Sequence, residues 1–168
     1  FGYANKGLSA DGNRVAVGTP TLSDFEYSKG TVRIYDYSTT TSTWIQVGSD
    51  ITRNALTDTT QDTYFGFGWA VSISADGKRV AIGAEGGDNP NGGIDKGLVA
   101  LYEQVDNSWV QVGPDIYGEN TNDYATSVGG LALSGDGTRV GLGGIGNDDA
   151  AANAGLQRAS MSGLAIKH

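Results

Sequence analysis

Hard oxygen ligands are concentrated in one glycine-rich loop of this chain. Five side chains between positions 85 and 95 carry carboxylate or amide oxygens: Glu85, Asp88, Asn89, Asn91 and Asp95. Clustered oxygens in an adaptable loop are the ligands that Ca²⁺ prefers. A second acidic run, Gly146–Asp149, lies at the corresponding place of a later repeat. Neither run has the spacing of a known calcium motif, so a solvated acidic loop stays open beside the predicted Ca²⁺ site.

Aromatic residues mark a second type of candidate site, for contacts with a partner. The loop of the first repeat that corresponds to the acidic loop is both acidic and aromatic, and variable loops on a fixed scaffold often carry binding function. Trp69 has no counterpart in the other repeats, which makes it a better candidate for contact than the recurring tryptophans, and a core position stays open beside that role. We therefore predict partner contacts at four residues: Asp24, Phe25, Tyr27 and Trp69.

Two further tryptophans recur, Trp44 and Trp109, each two residues before the glutamine of a Gln-Val-Gly segment. An exposed indole could stack on a sugar ring. A fixed place in each repeat favours packing between repeats instead, because large aromatic side chains bury much apolar surface there.

Catalytic chemistry has little support in this composition. The chain has no cysteine, and its one histidine is His168. Ser-His and Cys-His nucleophile pairs and histidine-rich zinc sites are therefore not expected. A pair of carboxylates of the glycosidase type stays open, but no acidic residue is singled out. We predict that the chain is not an enzyme.

Charge and hydropathy limit the partners. The formal net charge is −8, which makes nucleic acid an unfavourable partner. No apolar run approaches the ~20 residues of a membrane span, so membrane insertion is not expected. The chain opens on Phe1 without a charged-then-apolar leader, and we expect a processed or partial chain.

Internal repetition indicates the elements that must position these residues. Ala10–Gly18 recurs as Ala75–Gly83 and, more weakly, as Gly135–Gly143. Trp44–Ile51 recurs as Trp109–Ile116. Such periodicity is typical of repeat architectures. We place blade-like repeats at 1–64 and 65–124 and a partial one at 125–168.

The middle repeat predicts four strands. Short runs that alternate large and small residues, separated by turn-forming residues, are typical of antiparallel strands. The four runs are Trp69–Ser74, Arg79–Gly83, Gly97–Tyr102 and Trp109–Gly113. Asp76-Gly77 between the first two is a strong hairpin signal. In the last repeat Gly163–Ile166 matches the third strand best, and a fourth strand is missing.

The predicted fold is therefore all-β: tandem four-stranded antiparallel blades of a β-propeller, with about two and three-quarter repeats. Propellers use about 4–8 such blades around a channel, so this chain is expected to form an incomplete ring by itself.

Two residue types recur beside each hairpin turn. Asp11, Asp76 and Asp136 precede a glycine, and we interpret them as turn formers that bond their own backbone rather than as ligands. An arginine follows two residues after each glycine: Arg14, Arg79 and Arg139. We expect these arginines to pair with a nearby carboxylate or to pack their stems across a strand edge.

The order of these motifs resembles a known family. Phe67-Gly68, the Val71–Gly83 hairpin, Gly97 to Tyr102 and Trp109 to Gly113 resemble the FG-GAP-like repeats of integrin-α-type β-propellers. The resemblance is closest to large extracellular repeat proteins of algae, other protists and marine bacteria. Integrin-type blades often hold calcium between their first two strands. Here that connection is the tight Asp76-Gly77 turn, so calcium is not expected there.

The resemblance implies an extracellular or cell-surface structural or adhesive module. Because fewer than three blades cannot close a ring, we expect blade-to-blade contacts with other copies or further blades, in a ring or a filament. The alternative is a lectin-like domain that binds glycans through Ca²⁺ or aromatic contacts in its loops.

Overall fold

The computed structural model describes residues 6–20, 30–53, 66–88, 93–127 and 130–144, and the backbone of 157–160. These residues form thirteen strands in three antiparallel sheets, and no α-helix is present among them. None of the described residues forms a helix long and apolar enough to cross a membrane.

The first sheet is a meander with a broken outer edge. Its strands, in chain order, are β1 Lys6–Leu8, β2 Arg14–Thr19, β3 Thr31–Ser38, β4 Thr43–Gln46 and β5 Ile51–Thr52. They are ordered β1-β2-β3-β4, and β5 pairs with β3 beyond the end of β4.

The second sheet repeats this arrangement. Its strands are β6 Ala70–Ile73, β7 Arg79–Ala84, β8 Leu98–Val105, β9 Ser108–Gln111 and β10 Ile116–Tyr117. The register is equivalent to that of the first sheet: Val80 pairs with Ile73 and Tyr102, as Val15 pairs with Leu8 and Tyr35.

The third sheet has three strands: β11 Leu131–Leu133, β12 Arg139–Leu142 and β13 Gln157–Ser160. Here the sequence assignment was wrong. The strand that pairs with β12 is Gln157–Ser160 rather than Gly163–Ile166, which lies outside the described residues. The offset of about 65 residues between the first two repeats misplaced it, because Arg139 follows Arg79 by only 60 residues, and the same offset from Leu98 leads to position 158, within β13.

The break in each outer strand follows from one glycine. The Val47 N–H donates to the Ile34 carbonyl, and the backbone then leaves the sheet at Gly48 before pairing resumes at Ile51. Gly48 has φ 73°, in the left-handed region that favours glycine. Gly113 repeats the break in the second sheet with φ 75°.

The three sheets pack face to face through equivalent residues. One buried cluster joins Ala16, Val32 and Ile34 of the first sheet to Val80 and Ile82 of the second. A second cluster joins the register-equivalent Ala81, Val99 and Leu101 to Val140 and Leu142 of the third sheet. We call the face with Ala16 and Ala81 the downstream face and the face with Val80 and Val140 the upstream face.

These repeated interfaces confirm the predicted class, an all-β series of antiparallel propeller-type blades. Three sheets do not close a ring, again as expected. Each sheet lies within one of the repeats placed at 1–64, 65–124 and 125–168, and those boundaries stay predictions.

Candidate functional site

The hairpin turns of the first two strands lie together at one end of the blades and form the most regular polar feature of the molecule. Asp11, Asp76 and Asp136 each accept hydrogen bonds from the serine two residues before and from the backbone N–H two residues after. The turn-forming interpretation of these aspartates is therefore confirmed.

The same bonds hold these carboxylates ionised. The Ser9 hydroxyl, then the Asn13 backbone, lower the pKa of Asp11 to about 2. The Ser134 hydroxyl and the Thr138 backbone likewise lower the pKa of Asp136 to about 2. The pKa of Asp76 is lowered by Ser74 and the Lys78 backbone. Each turn therefore carries a negative charge at neutral pH.

Arginine side chains connect one turn to the next. The guanidinium of Arg14 forms a fork with Asp36, at 2.7 Å between Nη2 and Oδ2. Its Nη1 then donates across the interface to the Gly77 carbonyl at 3.1 Å and to Gln104. The hydrogen bond with Asp36 is the main cause of the raised pKa of Arg14.

Arg79 repeats this contact at the second interface. It pairs with Glu103 at 3.1 Å, and its Nη1 donates to the Gly137 carbonyl at 3.3 Å. For Arg14 and Arg79, the expected pairing with a carboxylate is confirmed, and each stem lies across the glycine of the neighbouring turn instead of a strand edge.

An open polar groove of about 390 Å³ lies between the first two turns. Its lining includes Asp11, Arg14, Asp36, Asp76 and Lys78. Opposite charges alternate along the groove, and Arg14 is bonded to Asp36 of its own sheet and to the Gly77 carbonyl of the next sheet. We therefore interpret the groove as part of the contact between the two blades.

A second contact that sequence reasoning missed involves Arg53. Its Nη1 donates to Asp115 Oδ2 at 2.8 Å, Nη2 reaches Asp115 and Gln111, and the guanidinium lies 5.9 Å from the Phe67 ring centroid. Burial acts to lower the pKa of Arg53, but the hydrogen bond and charge of Asp115 outweigh it and raise the pKa. Its acceptors, Gln111 and Asp115, belong to a recurring Gln-x-Gly-x-Asp segment that the sequence shows. Arg53 has no equivalent in the other repeats, so repetition did not indicate it.

The two recurring tryptophans differ in the structure. Trp109 Nε1 donates to the Val47 carbonyl at 3.0 Å, and its ring packs against the first buried cluster. Packing between repeats is thus confirmed for Trp109. The equivalent Trp44 is 46% exposed and forms an edge contact with Tyr37, with centroids 5.3 Å apart.

Part of the predicted calcium loop is described, and its carboxylates have other partners. Asp88 accepts the Asp95 N–H at 2.7 Å, and Asp95 accepts the Tyr124 hydroxyl at 3.2 Å. Burial, then the charge of Asp95, raises the pKa of Glu85. In the described part of the chain, no three His, Asp or Glu side chains are grouped to hold a metal. Asn89 and Asn91 lie outside it, so the Ca²⁺ site stays a prediction.

Of the four residues predicted to contact a partner, Trp69 lies among the described residues. Trp69 is half-buried directly before β6, and its backbone N–H donates to the Gly66 carbonyl at 2.7 Å. Asp24, Phe25 and Tyr27 lie outside the described residues, as do His168 and Gly146–Asp149.

Comparison with known proteins adds little to these observations. No protein-family model matches the chain, and no curated protein matches its sequence. Among solved structures, the chain is similar to the Dos1 propeller at 13% identity and a TM-score of 0.37. The match covers 94% of this chain and 41% of that one, so the chain spans less than half its length. The blade assignment rests on the sheets themselves.

Proposed function

We propose that this chain is an extracellular or cell-surface structural or adhesive repeat module of the FG-GAP-like propeller type, which works by blade-to-blade assembly. One observation carries the proposal: two successive interfaces use equivalent faces and the same arginine-to-turn bond. A contact that repeats along the chain is a heterologous contact, which can continue into a further copy or a further blade.

The apolar surface on the first sheet supports this proposal. Leu8 is 59% exposed, and Val15, Val17 and Tyr35 are only partly buried. Their register equivalents in the second sheet, Ile73, Val80, Ile82 and Tyr102, are all buried under the first sheet. Apolar surface of this kind is covered in repeat proteins by a neighbouring unit or a polar cap.

The test is native mass spectrometry of the purified chain over a range of concentrations, with the denatured intact mass as reference. We expect species of two or more copies that increase with concentration. A chain that remains a folded 17.4 kDa monomer at every concentration would overturn the assembly function.

A lectin-like module is the second candidate, favoured by the exposed Tyr37–Trp44 pair. Exposed aromatic rings can stack on the apolar face of a sugar. Binding to a glycan array that is lost in Trp44→Ala, or in Trp69→Ala, would support this function. Loss on chelation would add the Ca²⁺ loop to it, while an array without signal would remove the candidate.

We propose no catalytic role. Among the described residues, the turn aspartates are bonded within their turns, and the paired acids and arginines lie at blade contacts or, for Arg33 and Asp50, within the first sheet. Turnover of a polysaccharide that one carboxylate substitution abolishes would contradict this.

A further inference from the structure

The arginine contacts form a series in which the second and third hairpin turns each receive the arginine of the preceding blade. We call Gly12, Gly77 and Gly137 the turn glycines and Arg14, Arg79 and Arg139 the turn arginines. A Cβ built on Gly77 would lie 2.7 Å from Arg14 Cδ, and one on Gly137 would lie 2.7 Å from Arg79 Cδ. Both glycines are therefore covered by an arginine stem.

The first turn of the series lacks this cover. Gly12 has the same left-handed backbone, with φ 74°, but a Cβ built there meets no atom within 4 Å. The Asp11-Gly12 turn thus has the shape of the other two turns and an open surface where they hold an arginine.

The last arginine of the series is left over. Arg139 is exposed, and its guanidinium forms no hydrogen bond or ion pair within the described part of the chain. The residue opposite it in the ladder is Ser160, whereas Arg14 and Arg79 lie opposite Asp36 and Glu103. Arg139 therefore lacks the carboxylate that holds the other two within their own sheets.

A backbone ladder shows the same two open ends. The Ala10 N–H donates to the Ala75 carbonyl at 3.0 Å, and the Ala75 N–H donates to the Gly135 carbonyl at 2.8 Å. In the described part of the chain, the Gly135 N–H and the Ala10 carbonyl make no hydrogen bond. One open donor and one open acceptor of the same series match each other.

Charge also matches at these ends. The charge of Asp76 contributes to the raised pKa of Arg14 across the first interface. Asp11 would offer the same charge to an incoming arginine, because its low pKa keeps it ionised at neutral pH. A cation at the third sheet and an ionised turn at the first sheet are complementary.

We propose that the Asp11-Gly12 turn and the adjoining upstream face of the first sheet bind Arg139 and the β11–β12 hairpin of the third sheet of a second copy. This proposal rests on the proposed assembly function, and it specifies which surfaces of two copies meet. Arg139 donates to the Gly12 carbonyl, the Gly135 N–H donates to the Ala10 carbonyl, and Leu8 becomes covered. Copies then add head to tail.

The test uses two variants of the full chain that each block one end. Arg139→Asp blocks the donor end, and Leu8→Arg blocks the upstream face. The Leu8 and Arg139 side chains are both exposed, so neither substitution is expected to prevent folding. Circular dichroism verifies the fold of each variant. Lys96→Asp is the matched control, because it makes an equal charge change away from the hairpin turns, at a side chain whose described hydrogen bond is to the Glu119 carbonyl.

Sedimentation velocity over a concentration series measures the outcome. We expect the wild type and Lys96→Asp to associate, and each blocked variant to associate at least about tenfold more weakly. Mixing the two blocked variants restores one junction, because each retains the end that the other lacks. The mixture should therefore form species that stop at two copies.

The possible failures are distinguishable. A wild type that remains monomeric overturns the assembly function and this junction together. A wild type that associates while Arg139→Asp associates equally well leaves the assembly function standing and overturns the junction. Loss in Leu8→Arg alone indicates a symmetric contact between two first sheets, and it also overturns the head-to-tail arrangement.

Discussion

The first and second sheets have near-identical motifs and the same strand order, but within the described residues only the second sheet packs against a neighbouring sheet on both faces. Val80 is fully buried, whereas the equivalent Val15 is half-exposed. Trp109 donates to a carbonyl of the first sheet, whereas Trp44 is 46% exposed. The comparison shows that burial at a given position of the repeat is decided by the neighbouring sheet.

The largest expected difference between covered and uncovered positions concerns two strand glycines. A Cβ on Gly18 would overlap the Gly68 carbonyl, whereas one on Gly141 meets nothing within 4 Å. We expect Gly18→Ala to lower the free energy of unfolding by more than about 3 kcal/mol, because backbone must move. Gly141→Ala should be neutral or raise it by less than about 1 kcal/mol. Urea denaturation measures both, and equal losses would contradict the comparison.

Two equivalent aspartates give the next difference. The Asp115 and Arg53 side chains are only 10% and 14% exposed, whereas Asp50 pairs with Arg33 on the surface. Asp115→Ala should destabilise the chain by about 3 kcal/mol, since it leaves a mostly buried guanidinium without its carboxylate. Asp50→Ala should change little. A double-mutant cycle with Arg53→Ala measures the coupling, and a cycle without coupling would count against an inter-blade role for Arg53.

Two register-equivalent valines, Val15 and Val80, test the difference in burial between the first and second sheets without changing any charge. Val80→Ala should cost about 2 kcal/mol, from lost burial and a cavity between two sheets. Val15→Ala should cost less than about 1 kcal/mol, because its face is uncovered. Thermal unfolding at low protein concentration is the measurement. A loss at Val15 as large as that at Val80 would mean that another part of the chain covers the first sheet.

The smallest difference is expected in acid, because the turn aspartates owe their low pKa values to local bonds that covered and uncovered turns share. A carboxylate with a folded-state pKa below its unfolded value stabilises the fold above that unfolded value. For Asp11 and Asp136 the stabilisation is present above about pH 4 and is lost as the pH falls toward about 2. The free energy of unfolding should decline across this window.

The matching control replaces one turn aspartate at a time. Asp11→Asn and Asp76→Asn should each flatten the acid decline by a similar amount, although one turn is open and the other lies under Arg14. Urea titrations between pH 2 and pH 5 measure the two slopes. An unchanged slope in both variants would show that other carboxylates cause the decline.

Much of the fold could be predicted because the repeat carries local signals. Alternating runs and the Asp-Gly turns specify the hairpins, since turn chemistry and side-chain alternation act over a few residues. The third strand of the last sheet was misplaced because the offset of about 65 residues between the first two repeats was extended to the last one, whose hairpin follows after only 60 residues. The site was predicted less well: Arg53 occurs once, so repetition gave it no weight.

The sequence by itself determined the blade, its turns and the recurring arginine, because these depend on contacts within a few residues or between adjacent strands. Only the tertiary structure decided which copies of a residue are covered. Trp44 and Trp109, or Gly12 and Gly77, have the same local sequence and differ in their neighbours. Burial depends on surfaces that meet across the sheets, and a repeated motif cannot record which of its copies has a neighbour on each side.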